Sequence, residues 1–241
     1  MRALSKTIDR KLGLGGVLAR VLVALMASAL LLTTAVAASK KTAELDEAMS
    51  HDGLEKTKVK GIDLVYVRPG ATLASYNKVM LMPVEVQFHK DWDPQRTGSR
   101  MKLSTEEREN IRSGVSKIVG EEFAEELQKG NGYPVVTAPG PDVLILRPSI
   151  INLYANAPDT MEPGRSRTYT VSAGEMTLVL EMFDSETRQV LARAIDRREA
   201  NNSGMMTLSN SVVNASEARA LASSWARILR KRFDLAHGAS K

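Results

Sequence analysis

Apolar positions follow two kinds of spacing along this chain, and the switch between them outlines the fold. The stretch "IDLVYVRPG", from Ile62, reads as a short strand closed by Pro69-Gly70. A second strand, "YNKVMLMPVEVQF", places Val79, Met80, Leu81 and Met82 on both faces. Pro83 has no N–H for a ladder, so a bulge or an unpaired side is expected there. Over 105–129 the period lengthens, and Ile111, Val115, Ile118, Val119, Phe123 and Leu127 make one stripe of a helix. Ser104-Thr105-Glu106-Glu107 opens it in capping-box spacing, and Gly130-Asn131-Gly132 closes it. A third strand over 143–154 is apolar on both faces in its first half, as a central strand is. Strands four and five follow over 175–183 and 189–197. A final helix over 215–235 buries Ala218, Leu221, Ala222, Trp225, Ile228, Leu229 and Phe233. The order β-β-α-β-β-β-α predicts one α/β domain over 62–236, a mixed sheet of about five strands covered by two long helices.

Between strands four and five lies "DSETR", a crowd of charge that could be a site or a turn. The turn reading pairs Asp184 with Gln189, Met182 with Leu191, Leu178 with Ile195 and Glu175 with Arg198. Met176, Leu178, Leu180 and Met182 then share a core face with Leu191 and Ile195. Asp184 would bond back to the amides of its own loop, with Thr187 inside that loop and Arg188 at the position that needs a positive φ.

The ends change the picture of charge. Residues 1–37 have the basic, apolar and small-residue order of a secretory signal, with cleavage expected after Ala37. The alternative is an uncleaved inner-membrane anchor, since the uncharged stretch from Val21 approaches the length of a bilayer span. The formal net charge of +5 rests largely on Arg2, Lys6, Arg10, Lys11 and Arg20, which cleavage removes. What remains is nearly neutral and lacks the basic stripe that displaces phosphate counterions, so nucleic acid is not an expected partner. Residues 38–61 are polar and read as a flexible lead-in, and 237–241 as a tail. The chain has no cysteine, which excludes disulfides, thiolate metal sites, cysteine nucleophiles and an N-terminal lipid on cysteine.

Candidate chemistry is sparse. His89, Asp91 and Asp93 alternate in "FHKDWD" and would project to one side of an extended strand, which makes a metal-dependent enzyme one alternative. Against it stand the lack of further ligands and the absence of any G-x-S-x-G, S-x-x-K or H-E-x-x-H motif. No cofactor is expected. Arg193, Arg197 and Arg198 could contact a small anion or a partner, which makes an anionic-ligand carrier the second alternative. The polar segments 155–173 and 200–214 are long for a domain of this size, and such loops are often functional.

The stretches "YVRPGATLASYNKVMLMPVEV", "PGPDVLILRPSI", "GEMTLVLEMFDSETRQVLARAIDRR" and "SSWARILRKRF" together resemble domain-of-unknown-function family 3313, exported proteins of Gram-negative bacteria. The likeness runs over 66–233. It implies the α/β fold and an envelope location, and carries no catalytic signature. Family members are commonly lipoproteins with cysteine at the cleavage site, whereas this chain has Ala38-Ser39-Lys40-Lys41 there. Glycine is usual where Arg188 stands. The expectation is therefore a non-catalytic periplasmic protein, its signal removed, that meets an envelope protein partner.

Overall fold

The computed structural model describes residues 50, 52–92, 104–155, 168–170, 174–199, 207–209 and 211–238. The signal segment with Ala37, the lead-in before residue 50, Asp93 and most of both long loops lie outside them. The described residues belong to one compact unit.

A seven-stranded sheet is built from β1 (Glu55–Thr57), β2 (Leu64–Val67), β3 (Lys78–Leu81), β4 (Glu85–Phe88), β5 (Val143–Ala155), β7 (Gly174–Asp184) and β8 (Val190–Glu199). Its order is β1-β2-β8-β7-β5-β3, with β4 also on β5. β3 and β4 run parallel to β5; the β5–β7, β7–β8, β8–β2 and β2–β1 pairs are antiparallel. Two helices, α1 (Thr105–Gln128) and α2 (Ser211–Ala236), complete the α/β architecture. The sheet has two strands more than the five expected. One comes from Pro83: the expected second strand is cut into β3 and β4, and the Ser116 hydroxyl of α1 donates to the Val84 carbonyl at the break, 2.7 Å. The other is β1, inside the segment read as a flexible lead-in. Leu54 is buried there, and one buried leucine with three ladder pairs to β2 is a signal too short for periodicity to detect.

The α1 start follows its capping box, with Glu107 N–H donating to Ser104 Oγ (3.1 Å) and Ser104 N–H donating to Glu107 (2.6 Å). At its end a Cβ on Gly132 would stand 2.1 Å from the Leu127 carbonyl oxygen, so only glycine fits. Val119, Phe123 and Leu127 of α1 and Ala222, Trp225, Ala226 and Phe233 of α2 enter one core with Leu144, Leu146 and Ile150 of β5 and with Leu178 and Leu180 of β7. Arg230 of α2 donates to the Lys129 carbonyl at 2.8 Å, neutralising the exposed end of α1. β5 has a bulge at Asn152, whose φ is +53°. It shifts register toward both β4 and β7 and returns Leu153 to the core.

The two long loops contribute short strands, β6 (Thr168–Thr170) and β9 (Thr207–Ser209), which pair antiparallel in a separate two-stranded sheet. The expected loops over 155–173 and 200–214 are thus joined to each other.

Candidate functional site

The charged break is a turn. Asp184 N–H donates to the Gln189 carbonyl and Arg188 N–H to the Asp184 carbonyl, both 3.0 Å. Asp184 Oδ1 accepts from the Glu186 N–H (3.1 Å), the Thr187 N–H (2.7 Å) and the Thr187 hydroxyl (2.8 Å). Its Oδ2 accepts from Tyr76 at 2.9 Å. The Thr187 N–H above all holds the Asp184 carboxyl below its ordinary range. Burial, and then Asp184, push the Tyr76 phenol up to about 12. Arg188 has φ +61°. Ser185, which periodicity does not single out, is buried, and its hydroxyl exchanges hydrogen bonds with both backbone groups of Gly140 (3.0 and 2.7 Å). Asp184 and Thr187 have structural roles, and the turn is tied to two neighbouring loops.

The expected register holds only beside the turn. Phe183 pairs with Val190, but Met182 pairs with Ala192, Leu178 with Asp196 and Glu175 with Glu199. A bulge at Leu191 inserts one residue, and Arg68, the residue after β2, meets the carbonyls there: its N–H reaches the Leu191 carbonyl at 2.8 Å and its Nε the Val190 carbonyl at 2.7 Å. Leu191 keeps its core side. Ile195, expected on that side too, pairs instead with Val179 and Leu64 on the opposite face.

The shift decides what the arginines meet. Arg193 is cross-strand from Glu181 and donates to it at 2.8 Å. Arg147 donates to the other Glu181 oxygen at 3.0 Å, and Arg193 also pairs with Asp52. Burial raises the Glu181 carboxyl, but Arg147 and Arg193 lower it more, so its pKa lies below the ordinary value. Arg197 grips Glu175 through two bonds of 2.6 Å. Arg198 turns to the helix side, donating to Asp196 (2.6 Å), Ser224 (2.8 Å) and the Gly61 carbonyl (2.9 Å). The three guanidiniums do not converge, and each already faces a carboxylate. Asp196, 4% exposed, also accepts from the Asp63 N–H at 3.0 Å and from Trp225 Nε1 at 2.7 Å. It fastens α2 to β8.

His89 and Asp91 do not project from a strand. β4 ends at Phe88, and a turn follows in which Trp92 N–H donates to the His89 carbonyl at 2.9 Å and Asp91 N–H donates to His89 Nδ1 at 3.1 Å. The chain turns at His89, earlier than alternation assumed. Among the described residues no group of three or more His, Asp or Glu is placed to hold a metal ion.

What charge does not reveal, apolar shape does. A cavity of about 170 Å³ lies between the helix-facing side of β2, β8 and β7 and the inner stripe of α2. Leu178, Leu180, Met182, Trp225 and Leu229 make its buried floor; Val59, Ile62, Ala71, Leu73, Ile228 and Arg232 are half-buried around its rim. Two alanines, Ala192 and Ala194, stand on β8 where a larger β-former would fill the space. Thr72 and Arg232 supply the polar side chains of the lining besides the indole of Trp225. The Trp225 N–H is already given to Asp196. The sequence signal for this site is the "ARA" of β8, small residues facing large ones across a sheet–helix layer.

Fold and cavity together define an α/β sheet-and-helix domain with a small apolar cavity between sheet and helix. The chain belongs to the DUF3313 family, described as proteins of unknown function, whose model matches residues 46–229. A comparison with curated proteins found no match. Among solved structures, the chain is similar to the PelC dodecamer subunit of Paraburkholderia phytofirmans, with 13% identity, TM-score 0.37 and coverage of 73% of this chain and 96% of that one. It is also similar to protein XCC0632 of Xanthomonas campestris, with 8% identity, TM-score 0.39 and coverage of 70% and 90%. No helix among the described residues is long and apolar enough to cross a membrane.

Proposed function

We propose that this chain is a non-catalytic, exported binding protein of the cell envelope that takes an apolar group into the cavity between β7, β8 and α2. The observation that carries the reading is the cavity itself, floored by Leu178, Leu180, Met182 and Trp225 and kept open by Ala192 and Ala194. Empty apolar space forfeits dispersion contacts, so a void edged by alanines costs stability unless something enters it. The charged groups read as candidates for chemistry support the same reading, since Asp184, Arg193, Arg197 and Arg198 are engaged in holding strands, turn and helix. Periplasmic location follows from the secretory order of residues 1–37.

A second reading, contact with an envelope protein, is favoured by the pairing of β6 with β9, which joins two long polar segments to each other. One titration separates them. Octanol added to the labelled protein should shift the methyl resonances of Leu178, Leu180 and Met182, and Ala194→Leu should abolish the shifts while raising stability by about 1 kcal/mol. Deleting 158–166 should leave octanol binding intact and lose any envelope-protein capture. Shifts scattered over the surface, or none, would reject the cavity as the binding site.

A further inference from the structure

We infer that the cavity's ligand is a single-chain amphiphile with an anionic head, an alkyl carboxylate, whose charge is met by Arg232. The inference rests on the cavity reading above and adds the ligand's chemistry. On α2, Trp225, Ile228, Leu229 and Arg232 recur at helical spacing and all line the space. Arg232 is therefore on the cavity stripe of the helix, not on its wet face. It is half-buried, and its guanidinium has no hydrogen bond or ion pair among the described residues. Arg193, Arg197, Arg198 and Arg230 each have a carboxylate. A half-buried cation beside an apolar wall loses hydration without gaining a partner, unless an anion is delivered by whatever fills the wall.

Size sets the tail. An apolar cavity of about 150 Å³ accommodates benzene, so about 170 Å³ suits a tail of about six to eight carbons. The floor offers nothing polar to a second head group, and the volume is too small for two chains. A guanidinium also meets a carboxylate through two parallel N–H donors, a geometry that an alcohol or a cation cannot return.

Calorimetry on the full chain with octanoate, octanol and octyltrimethylammonium tests this. Octanoate should bind at least about tenfold more tightly than octanol, and the cation least. Arg232→Gln should erase the preference for octanoate over octanol, and Arg232→Lys should retain part of it. Equal affinity for octanoate and octanol in the wild type would overturn the anionic head and leave the cavity reading standing. Failure of both to bind would overturn both readings. Binding to vesicles of a two-chain anionic phospholipid that octanoate does not displace would identify a membrane lipid instead, and a ligand-free dimer that octanoate does not dissociate would identify a second copy; either overturns the inference.

Discussion

Arg188 sits at φ +61°, a region that costs a side-chain-bearing residue about 1 kcal/mol and glycine almost nothing. Arg188→Gly should therefore raise the denaturation midpoint, by up to about 1 kcal/mol less what glycine adds to the entropy of the unfolded chain. Asp184→Ala should act oppositely, by about 1 to 2 kcal/mol, because it strips acceptors from two loop amides and two hydroxyls. The sign with pH follows from a carboxyl held below its ordinary 3.8. Its contribution is present above 3.8 and is lost as pH falls through the lower folded value. Urea melts at neutral and at acid pH should show the wild type and Asp184→Ala converging toward the acid end; parallel curves would contradict this role. Local chemistry made this turn readable, since a short acid, a threonine and a strained final position all act within five residues.

Elements were legible where their signal was long. The α1 stripe, its capping box and the apolar β5 appear as their spacing predicts, because many residues report the same period. The hairpin's register was not, because one inserted residue at Leu191 reverses every side chain beyond it, and Arg68, far away in sequence, satisfies that bulge. Asp196 shows what was missed. Read as one charge in a mixed run, it is a buried carboxylate joining Asp63, Arg198 and Trp225. Asp196→Ala should destabilise by about 3 kcal/mol, since it leaves Arg198 and the Trp225 N–H unpaired together. Trp225 emission should shift and hydrogen exchange in α2 should rise; a loss below about 0.5 kcal/mol would show that packing alone holds the helix.

At the scale of the whole molecule, the fold class and family could be read from the chain, while the cavity could not. Its walls come from β2, the β2–β3 connection, β7, β8 and α2, and only the register that the Leu191 bulge creates sets Ala192 and Ala194 opposite the helix. A void is a property of several elements at once, so the two alanines of β8 do not announce it on their own. The conspicuous charges of the chain brace the sheet around an apolar space. The most direct test of the account is anomalous diffraction from crystals grown with a terminally brominated octanol. A bromine peak should appear among Leu178, Leu180, Met182 and Trp225 and disappear in Ala194→Leu. Bromine found only on the outer surface, with the cavity unchanged, would contradict it.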